Sequence, residues 1–237
     1  MSLKAFVWSD IGKKRQKNED SFLFSPDLGL YVVADGMGGH VGGKQASSLA
    51  VEEIESFVKQ NRKTKKKTQL LQDAVRAATR KVFEESHRHP ELNGMGTTVT
   101  ALLIDEQEAV IANVGDSRTY LMRESKIRQV SEDHSLVQEQ FRAGILSAEE
   151  AQHSQYRNII TRSIGFEKDV QVDIFTEKCQ EKDMFLLCSD GLTTLVEDAE
   201  IAKVLEKRSQ KTAGKKLIEL ANSRGGYDNI TVILVYV

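Results

Sequence analysis

Residues 31–43 read YVVADGMGGHVGG. This stretch contains a predicted strand and a candidate site residue. The first four residues favour a buried strand, because Tyr and Val are enriched in strands. Asp35 stands at the end of that strand and is followed by a glycine-rich run. Glycine in an ordered backbone costs roughly 0.5–1 kcal/mol relative to alanine. The run therefore indicates that another group approaches this backbone closely.

The composition is that of an ordinary chain able to bury a core. Of the 237 residues, 40% are hydrophobic and 29% are charged, and 35 acidic against 33 basic residues leave a net charge of -2. This balance predicts neither a nucleic-acid partner nor an anionic membrane surface. Single folds rich in strands reach this length, so one domain over residues 1–237 is expected.

The sequence predicts neither a membrane span nor a secretory leader. No apolar run approaches the roughly 20 residues that cross a bilayer, and residues 1–10 lack the apolar segment of a secretory leader. A cytoplasmic location is therefore expected. Cys179 and Cys188 lie nine residues apart with no second pair nearby. They fit neither a zinc site nor a disulfide framework.

Short runs rich in Val, Ile, Leu, Phe and Thr predict the strands. They lie at Leu3–Trp8, Ser21–Phe24, Leu30–Ala34, Thr97–Ile104, Ala109–Val114, Thr119–Arg123, Lys126–Val130, Val170–Phe175, Met184–Cys188 and Ile230–Val237. Apolar residues at helical spacing predict helices around residues 46–58 and 71–82, and a second pair over 198–208 and 212–223.

Strands and helices come in blocks along the chain, which predicts an α+β fold. Turn-sized gaps between sequential strands favour antiparallel sheets, and helix pairs packed outside two stacked sheets would cover both faces. The stretch from Asp133 to Gly165 is irregular and polar, with short helical pieces. We expect it to run over one edge of the sheets.

Four aspartates stand at the ends of apolar runs, each beside Gly, Ser or Asn: Asp35, Asp116, Asp190 and Asp228. One such aspartate is an ordinary turn residue. Strand ends can converge at one edge of a sheet pair, and converging carboxylates repel unless cations neutralise them. Oxygen ligands without His or Cys favour Mg²⁺ or Mn²⁺ over zinc. The backbone carbonyl of Gly36 could also reach such an ion.

Residues 12–21, GKKRQKNEDS, gather Arg15, Glu19 and Asp20 in one turn-like segment before a strand. The segment can be read simply as a hydrophilic loop. An arginine among carboxylates also suits a phosphate whose other oxygens contact metal ions, because the planar guanidinium pairs well with phosphate.

Eight blocks occur in order along the chain: RQKNEDS (15–21), VVADGMGGHVGGKQAS (32–47), GMGTTVTALLI (94–104), ANVGDSRTYL (112–121), SEDHSLV (131–137), NIITRSIG (158–165), FLLCSDGL (185–192) and YDNITVILV (227–235). Together they resemble the metal-dependent type 2C serine/threonine protein phosphatases, the PPM family, in their compact bacterial form. The resemblance implies a β-sandwich flanked by helices, with a metal cluster at one end.

The resemblance also implies the ligand set. Asp35 would bridge two metal ions, Mn²⁺ or Mg²⁺, with the Gly36 carbonyl on one ion and Asp190 and Asp228 on the other. Asp116 would serve a third, weaker metal that bacterial members use.

Further roles follow from the resemblance. Asp20, with Glu19 beside it, would hold metal-bound waters, and Arg15 would bind the substrate phosphate. Residues 133–165 would form the family's flap beside the active site, where Arg157 and Asn158 are expected to influence peptide preference.

The acid that protonates the leaving group is left open by the sequence. Many eukaryotic members have a histidine two residues after the bridging aspartate, where this chain has Met37. His40 is the nearest replacement in sequence, although it can equally be a loop histidine without a role.

The function implied by the resemblance is hydrolysis of phosphoserine and phosphothreonine in proteins, by direct attack of a metal-activated water at a two-metal centre. The expected substrates are phosphoproteins, with a bacterial serine/threonine kinase and its targets as partners, and a monomer is expected.

Three other functions are alternatives to this one. A nucleotide-binding protein could cradle phosphate with DGMGGHVGG, but the G-K-[ST] ending of a P-loop is missing. A calcium-stabilised structural domain would need a D-x-[DN]-x-[DN]-G loop, which the chain lacks. A non-catalytic phosphoprotein-binding module remains, and the intact set of Asp35, Asp190, Asp228 and Arg15 argues against it.

Overall fold

The predicted apolar runs pair as antiparallel strands in two five-stranded sheets. The structure, a computed structural model, describes residues 3–147, 150, 151, 154, 156 and 158–237, apart from the side chains of residues 39–41. The strands are β1 (Lys4–Asp10), β2 (Ser21–Ser25), β3 (Leu30–Ala34), β4 (Gly36–Met37), β5 (Gly96–Thr97), β6 (Val99–Asp105), β7 (Glu108–Val114), β8 (Arg118–Arg123), β9 (Lys126–Gln129), β10 (Asp173–Lys178), β11 (Met184–Cys188) and β12 (Ile230–Tyr236).

One sheet has the order β1-β12-β11-β8-β9 and the other the order β10-β7-β6-β3-β2, while β4 and β5 form a separate short ribbon. The helices are α1 (Gly39–Asn61), α2 (Lys67–Arg88), α3 (Leu136–Arg142), α4 (Asp190–Thr193), α5 (Asp198–Lys207) and α6 (Ala213–Ser223), and two 3₁₀ turns lie at Pro26–Leu28 and Pro90–Leu92. Among the described residues, no helix is both long enough and apolar enough to span a bilayer.

Three apolar layers hold these elements together. Alternate side chains of each strand point to opposite faces, so each sheet has two faces to cover. Helices α1 and α2 cover the outer face of the sheet that contains β3, β6 and β7, and α5 and α6 cover the outer face of the other sheet. Between the sheets lies a third layer that includes Tyr31, Leu102, Ile111, Phe185 and Ile233. The predicted α+β sandwich with outer helix pairs is confirmed.

Two strand predictions differ from the structure. The strand expected at 170–175 begins at Asp173, because its partner β7 ends at Val114 and Gly115 then turns away with a φ of 104°. The strand expected at 97–104 is divided at Thr98, whose amide donates to the carbonyl of Asp35. Both differences arise next to the candidate site.

We expect Leu102→Ala to be costly, because this side chain is fully buried between the sheets. Removing a buried leucine side chain costs about 2–5 kcal/mol. Urea denaturation of the two proteins measures the loss of unfolding free energy. Ile145→Ala is the matched control, because Ile145 is 68% exposed and surface changes usually stay within about 0.5 kcal/mol. Equal losses in the two variants would contradict this account of the core.

Candidate active site

Antiparallel pairing brings the predicted aspartates to one end of the sandwich. β3 pairs with β6 and β6 with β7, so Asp35 after β3 and Asp116 after β7 leave their sheet at the same end. β11 pairs with β12, which places Asp190 after β11 and Asp228 before β12 at one end of the other sheet. Asp35 and Asp190 act on each other's pKa, so their side chains lie close together. The two sheet ends therefore meet at this point.

Asp35 lies at the centre of the cluster. Its amide donates to the Thr98 hydroxyl at 3.0 Å, and its carbonyl accepts from the Thr98 amide at 2.9 Å and the Thr97 hydroxyl at 2.8 Å. These bonds fix the direction of the side chain. Burial, reinforced by the charges of Asp20, Asp190, Asp228 and Asp116, raises the pKa of Asp35 well above its usual range.

Asp190 and Asp228 lie next to the ends of β11 and β12, in the opposite sheet from β7. Burial, followed by the charge of Asp228, raises the pKa of Asp190 to about 6, and the contact with Asp35 opposes this rise. Asp228 accepts from the Asn229 amide at 2.8 Å through Oδ1 and from Arg15 Nη2 at 2.6 Å through Oδ2. The Arg15 side chain is 51% exposed. The predicted phosphate-binding arginine therefore lies at the solvent side of the cluster.

Asp20 is the most enclosed of these acids. Its Oδ2 accepts from the Thr231 hydroxyl at 2.6 Å and from the Ser189 hydroxyl at 2.8 Å. Burial raises the pKa of Asp20 to about 7 despite these two bonds, and the charges of Asp190 and Asp228 add to the rise. The side chain is therefore tied to the strand ends that carry Asp190 and Asp228.

Asp116 extends the cluster toward residues 133–165. It is 7% exposed. Burial and the charges of Asp190 and Asp133 raise the pKa of Asp116 well above its usual range, while the nearby Arg118 opposes this rise. All five predicted aspartates are thus brought together.

Gly36 explains part of the glycine-rich run. A Cβ at this position would overlap the carbonyl oxygen of Gly43 and lie 2.8 Å from the carbonyl oxygen of Glu19. The backbone at Gly36 is thus approached closely by the first turns of α1 and by the loop that contains Arg15 and Asp20. This protein contact adds to the ion contact that the sequence suggested for the Gly36 carbonyl.

Asn229 was missed by the sequence analysis, although it holds the loop that carries Arg15. The side chain is 2% exposed. Its Oδ1 accepts from the Glu19 amide at 2.8 Å, and its Nδ2 donates to the carbonyls of Ile11 at 2.9 Å and Lys17 at 3.0 Å. Glu19 thus lies next to the cluster through its backbone. The only sequence signal for Asn229 was its position beside Asp228.

His40 is predicted as the proton donor, and only its backbone can be placed. It lies in the first turn of α1, but its side chain falls outside the described part of the chain. Met37 pairs with Gly96 in the β4-β5 ribbon.

The residues present fit a hard divalent cation. Within the described part of the chain, three buried carboxylate oxygens have no hydrogen-bond partner: Oδ1 of Asp20, Asp116 and Asp190. A buried acceptor without a donor costs about 1–3 kcal/mol, and carboxylate oxygens are the ligands that Mg²⁺ and Ca²⁺ prefer. Among the described side chains, no group of three or more His, Cys, Asp or Glu residues is already arranged to hold a metal ion. Instead, Asp228 binds Arg15, and Asp190 lies beside Asp35.

A cavity of about 670 Å³ opens beside Asp116 and Asp190. Its other wall includes Ser135, Gln138 and Asn158, from the stretch predicted to form a flap. Arg157, expected to act with Asn158, lies outside the described residues. The cavity is large enough for several amino-acid side chains next to the cluster.

The chain is similar in sequence to known proteins. The family model described as Protein phosphatase 2C matches residues 12–222. The serine/threonine phosphatase stp of Listeria monocytogenes serotype 4b is 40% identical over 234 residues, which cover 96% of this chain and 93% of that protein.

The chain is also similar to solved structures of phosphatases. The crystal structure of the serine/threonine phosphatase PstP/Ppp of Mycobacterium tuberculosis is similar, with a TM-score of 0.93 at 34% identity over 100% of this chain and 99% of that chain. The catalytic domain of PstP, crystallised with two manganese ions, has a TM-score of 0.87 at 33% identity over 99% and 97% of the two chains.

The acid cluster predicts a stability that depends on pH when divalent cations are chelated. The folded-state pKa values of Asp190, about 6, and Asp20, about 7, lie above the ordinary value of 3.8. The folded chain then binds more protons than the unfolded chain. This contribution is fully present below pH 3.8 and is lost as the pH rises through these values. We expect the Tm in EDTA to fall by a few degrees between about pH 5 and about pH 8.

The decisive comparison is with Asp190→Asn, which removes one raised group and one repelling charge. Burial lowers the pKa of His134, so this residue acts in the opposite direction in both proteins and cancels in the comparison. A shallower fall is expected for the variant by differential scanning calorimetry. Identical slopes would show that the cluster does not govern the pH dependence.

Proposed function

Since the chain belongs to the protein phosphatase 2C family of serine/threonine phosphatases, we propose that it hydrolyses phosphoserine and phosphothreonine in proteins at a centre of two divalent cations. The observation that carries the proposal is the convergence of four other aspartates on Asp35, with three buried carboxylate oxygens that have no hydrogen-bond partner among the described residues. Such a cluster is costly unless cations neutralise it.

The proposed ligands follow the geometry and the family resemblance. Asp35 would contact both ions, with the Gly36 carbonyl on one and Asp190 and Asp228 on the other. The two manganese ions of the PstP catalytic domain support a pair of ions. Asp116 would contribute to a third, more weakly held cation.

Two acidic residues are proposed to act from outside the ligand set. Asp20 would orient water at the cluster, because one of its oxygens is held by two hydroxyls and the other has no protein partner. Glu19 is held beside it through the Asn229 side chain.

When bound, divalent cations would neutralise the phosphate dianion and lower the pKa of a water molecule. The residues of the chain supply the orientation. Arg15, held by Asp228 at 2.6 Å, would bind phosphate oxygens with its planar fork. The oxygen of water would bond to phosphorus and release a proton to solvent as the bond to the serine or threonine oxygen breaks. The leaving serine or threonine oxygen would take a proton from a donor group. His40 is proposed as the donor, since Met37 has none to give.

The polypeptide around the phosphorylated residue is proposed to lie in the cavity between the cluster and residues 133–165. Asn158 and Gln138 line this cavity and can donate or accept hydrogen bonds. A serine/threonine kinase whose products the enzyme hydrolyses is the proposed partner. A single domain over residues 1–237, a cytoplasmic location and a monomeric state stay predictions.

The central test is hydrolysis of a small aryl phosphate with Mn²⁺ or Mg²⁺, with and without EDTA. We expect turnover that EDTA abolishes. Asp35→Asn should lower kcat by about 100-fold or more, because this residue serves both proposed ions, whereas Asp116→Asn should lower it by about 10-fold. Asp27→Asn, a change at an exposed aspartate, is the control. Failure to turn over with either metal would favour a non-catalytic phosphoprotein-binding module.

Arg15→Ala tests phosphate binding separately from cation binding. If Arg15 mainly binds phosphate in the ground state, KM should rise by about 10-fold with a smaller change in kcat. Lys14→Ala removes a charge from the same exposed loop and serves as the matched control. Equal falls in kcat and kcat/KM would instead assign Arg15 to the transition state.

A further inference from the structure

We propose that His134 is a positioning residue that ties residues 133–165 to the carboxylate of Asp116. The inference rests on the proposed function, in which Asp116 contributes to cation binding. His134 is 3% exposed and belongs to neither the proposed ligands nor the proposed phosphate site.

One side of the His134 ring holds the turn that precedes Asp116. Nδ1 accepts from the Gly115 amide at 3.0 Å. The amide can only donate, so Nδ1 carries no proton and the neutral ring has its hydrogen on Nε2. The backbone amide of His134 donates to the carbonyl of Gly115 at 2.9 Å. Both polar groups of Gly115 are therefore held by one residue.

Gly115 has little freedom to adjust. Its φ is 104°, in the left-handed region that favours glycine, and a Cβ there would lie 2.6 Å from the Thr98 side chain. Its carbonyl also accepts from Asn113 Nδ2 at 3.2 Å. A displacement of this turn would be passed to the next residue, Asp116, whose buried Oδ1 has no protein partner to hold it.

The other side of the ring faces Asp173 of β10 and Arg162 of the predicted flap. Nε2 lies 3.1 Å from Asp173 Oδ2 and 3.0 Å from Arg162 Nη1, and Arg162 is paired with Asp173 Oδ1 at 2.9 Å. The Thr161 amide donates to the His134 carbonyl at 2.9 Å. Burial lowers the pKa of His134, which keeps the ring neutral. His134 thus links the turn before Asp116 with the returning end of this segment. The link runs through its own carbonyl to Thr161 and through Asp173 to Arg162.

Substituting His134 with asparagine or glutamine separates the contact to Gly115 from the contact to Asp173. The amide oxygen of asparagine is bonded to Cγ, as Nδ1 of histidine is, and can accept from the Gly115 amide. The amide of glutamine lies one atom further out, near the position of Nε2, and can reach Asp173 instead. His134→Asn therefore keeps the contact to the turn, and His134→Gln keeps the contact to the flap side.

The experiment is a calorimetric titration of EDTA-treated, dialysed protein with MnCl₂, which reads cation binding without activity. Asp116→Asn defines the contribution of Asp116. We expect His134→Gln to weaken the Mn²⁺ binding that Asp116→Asn weakens, by about 10-fold, and His134→Asn to stay within about 2-fold of the wild type. The double variant D116N/H134Q should bind no more weakly than D116N, because both changes act on one carboxylate.

Asp173→Asn is the matched control on the flap side, because it removes the charge that pairs with Arg162 and leaves the Gly115 contact. It should leave Mn²⁺ affinity unchanged. Equal losses in the asparagine and glutamine variants, additive losses in the double variant, or no effect of D116N would each overturn the role of His134. If the wild type binds no Mn²⁺, the two-cation centre itself fails, and this result is distinct from those outcomes. Thermal melts of each variant identify a loss caused by unfolding.

Discussion

The site depends on holding several like charges together where little water can reach them. Asp20 is 3% exposed and Asp116 is 7% exposed, and both are close enough to Asp35 for their charges to act on it. Such groups either take up protons or need cations, because the buried charged form is disfavoured. Proton uptake, seen in the raised pKa values, and the proposed cations would thus each reduce the repulsion between the buried carboxylates. The fold must supply enough rigidity to keep the acids from moving apart.

Hydroxyl pairs supply much of that rigidity. The layer between the sheets is apolar over most of its length, but toward the site it contains buried hydroxyls. The Thr100 and Thr119 hydroxyls meet at 2.7 Å and join β6 of one sheet to β8 of the other. The Thr98 and Ser117 hydroxyls meet at 2.8 Å in the segments that immediately precede these two strands. Small hydroxyl side chains can donate and accept in a narrow space. They satisfy buried backbone groups beside the aspartates without bringing in further charge.

The sequence predicted the parts of the site that depend on local pattern. An apolar run followed by an aspartate is visible at Asp35 and Asp190, and antiparallel pairing then places such strand ends together. It could not predict partners far apart in the chain, such as Asn229 with Ile11 or His134 with Gly115 and Asp173. The same limit explains the strand that begins at Asp173, since its start is set by the turn at Gly115. The family resemblance assigned roles to the aspartates but did not reveal these contacts.

Arg15 connects the acid cluster with the proposed chemistry. Asp228 binds it through one oxygen, while its other oxygen accepts from the backbone of Asn229. Each carboxylate oxygen has two lone pairs, so these bonds leave Asp228 with acceptor capacity for a cation. Arg15 can therefore stay at the mouth of the site when a cation binds. Because a guanidinium can pair with phosphate as well as with a carboxylate, the contact with Asp228 also places the proposed phosphate-binding group beside the cluster. Removing either partner would thus disturb charge balance and substrate binding together.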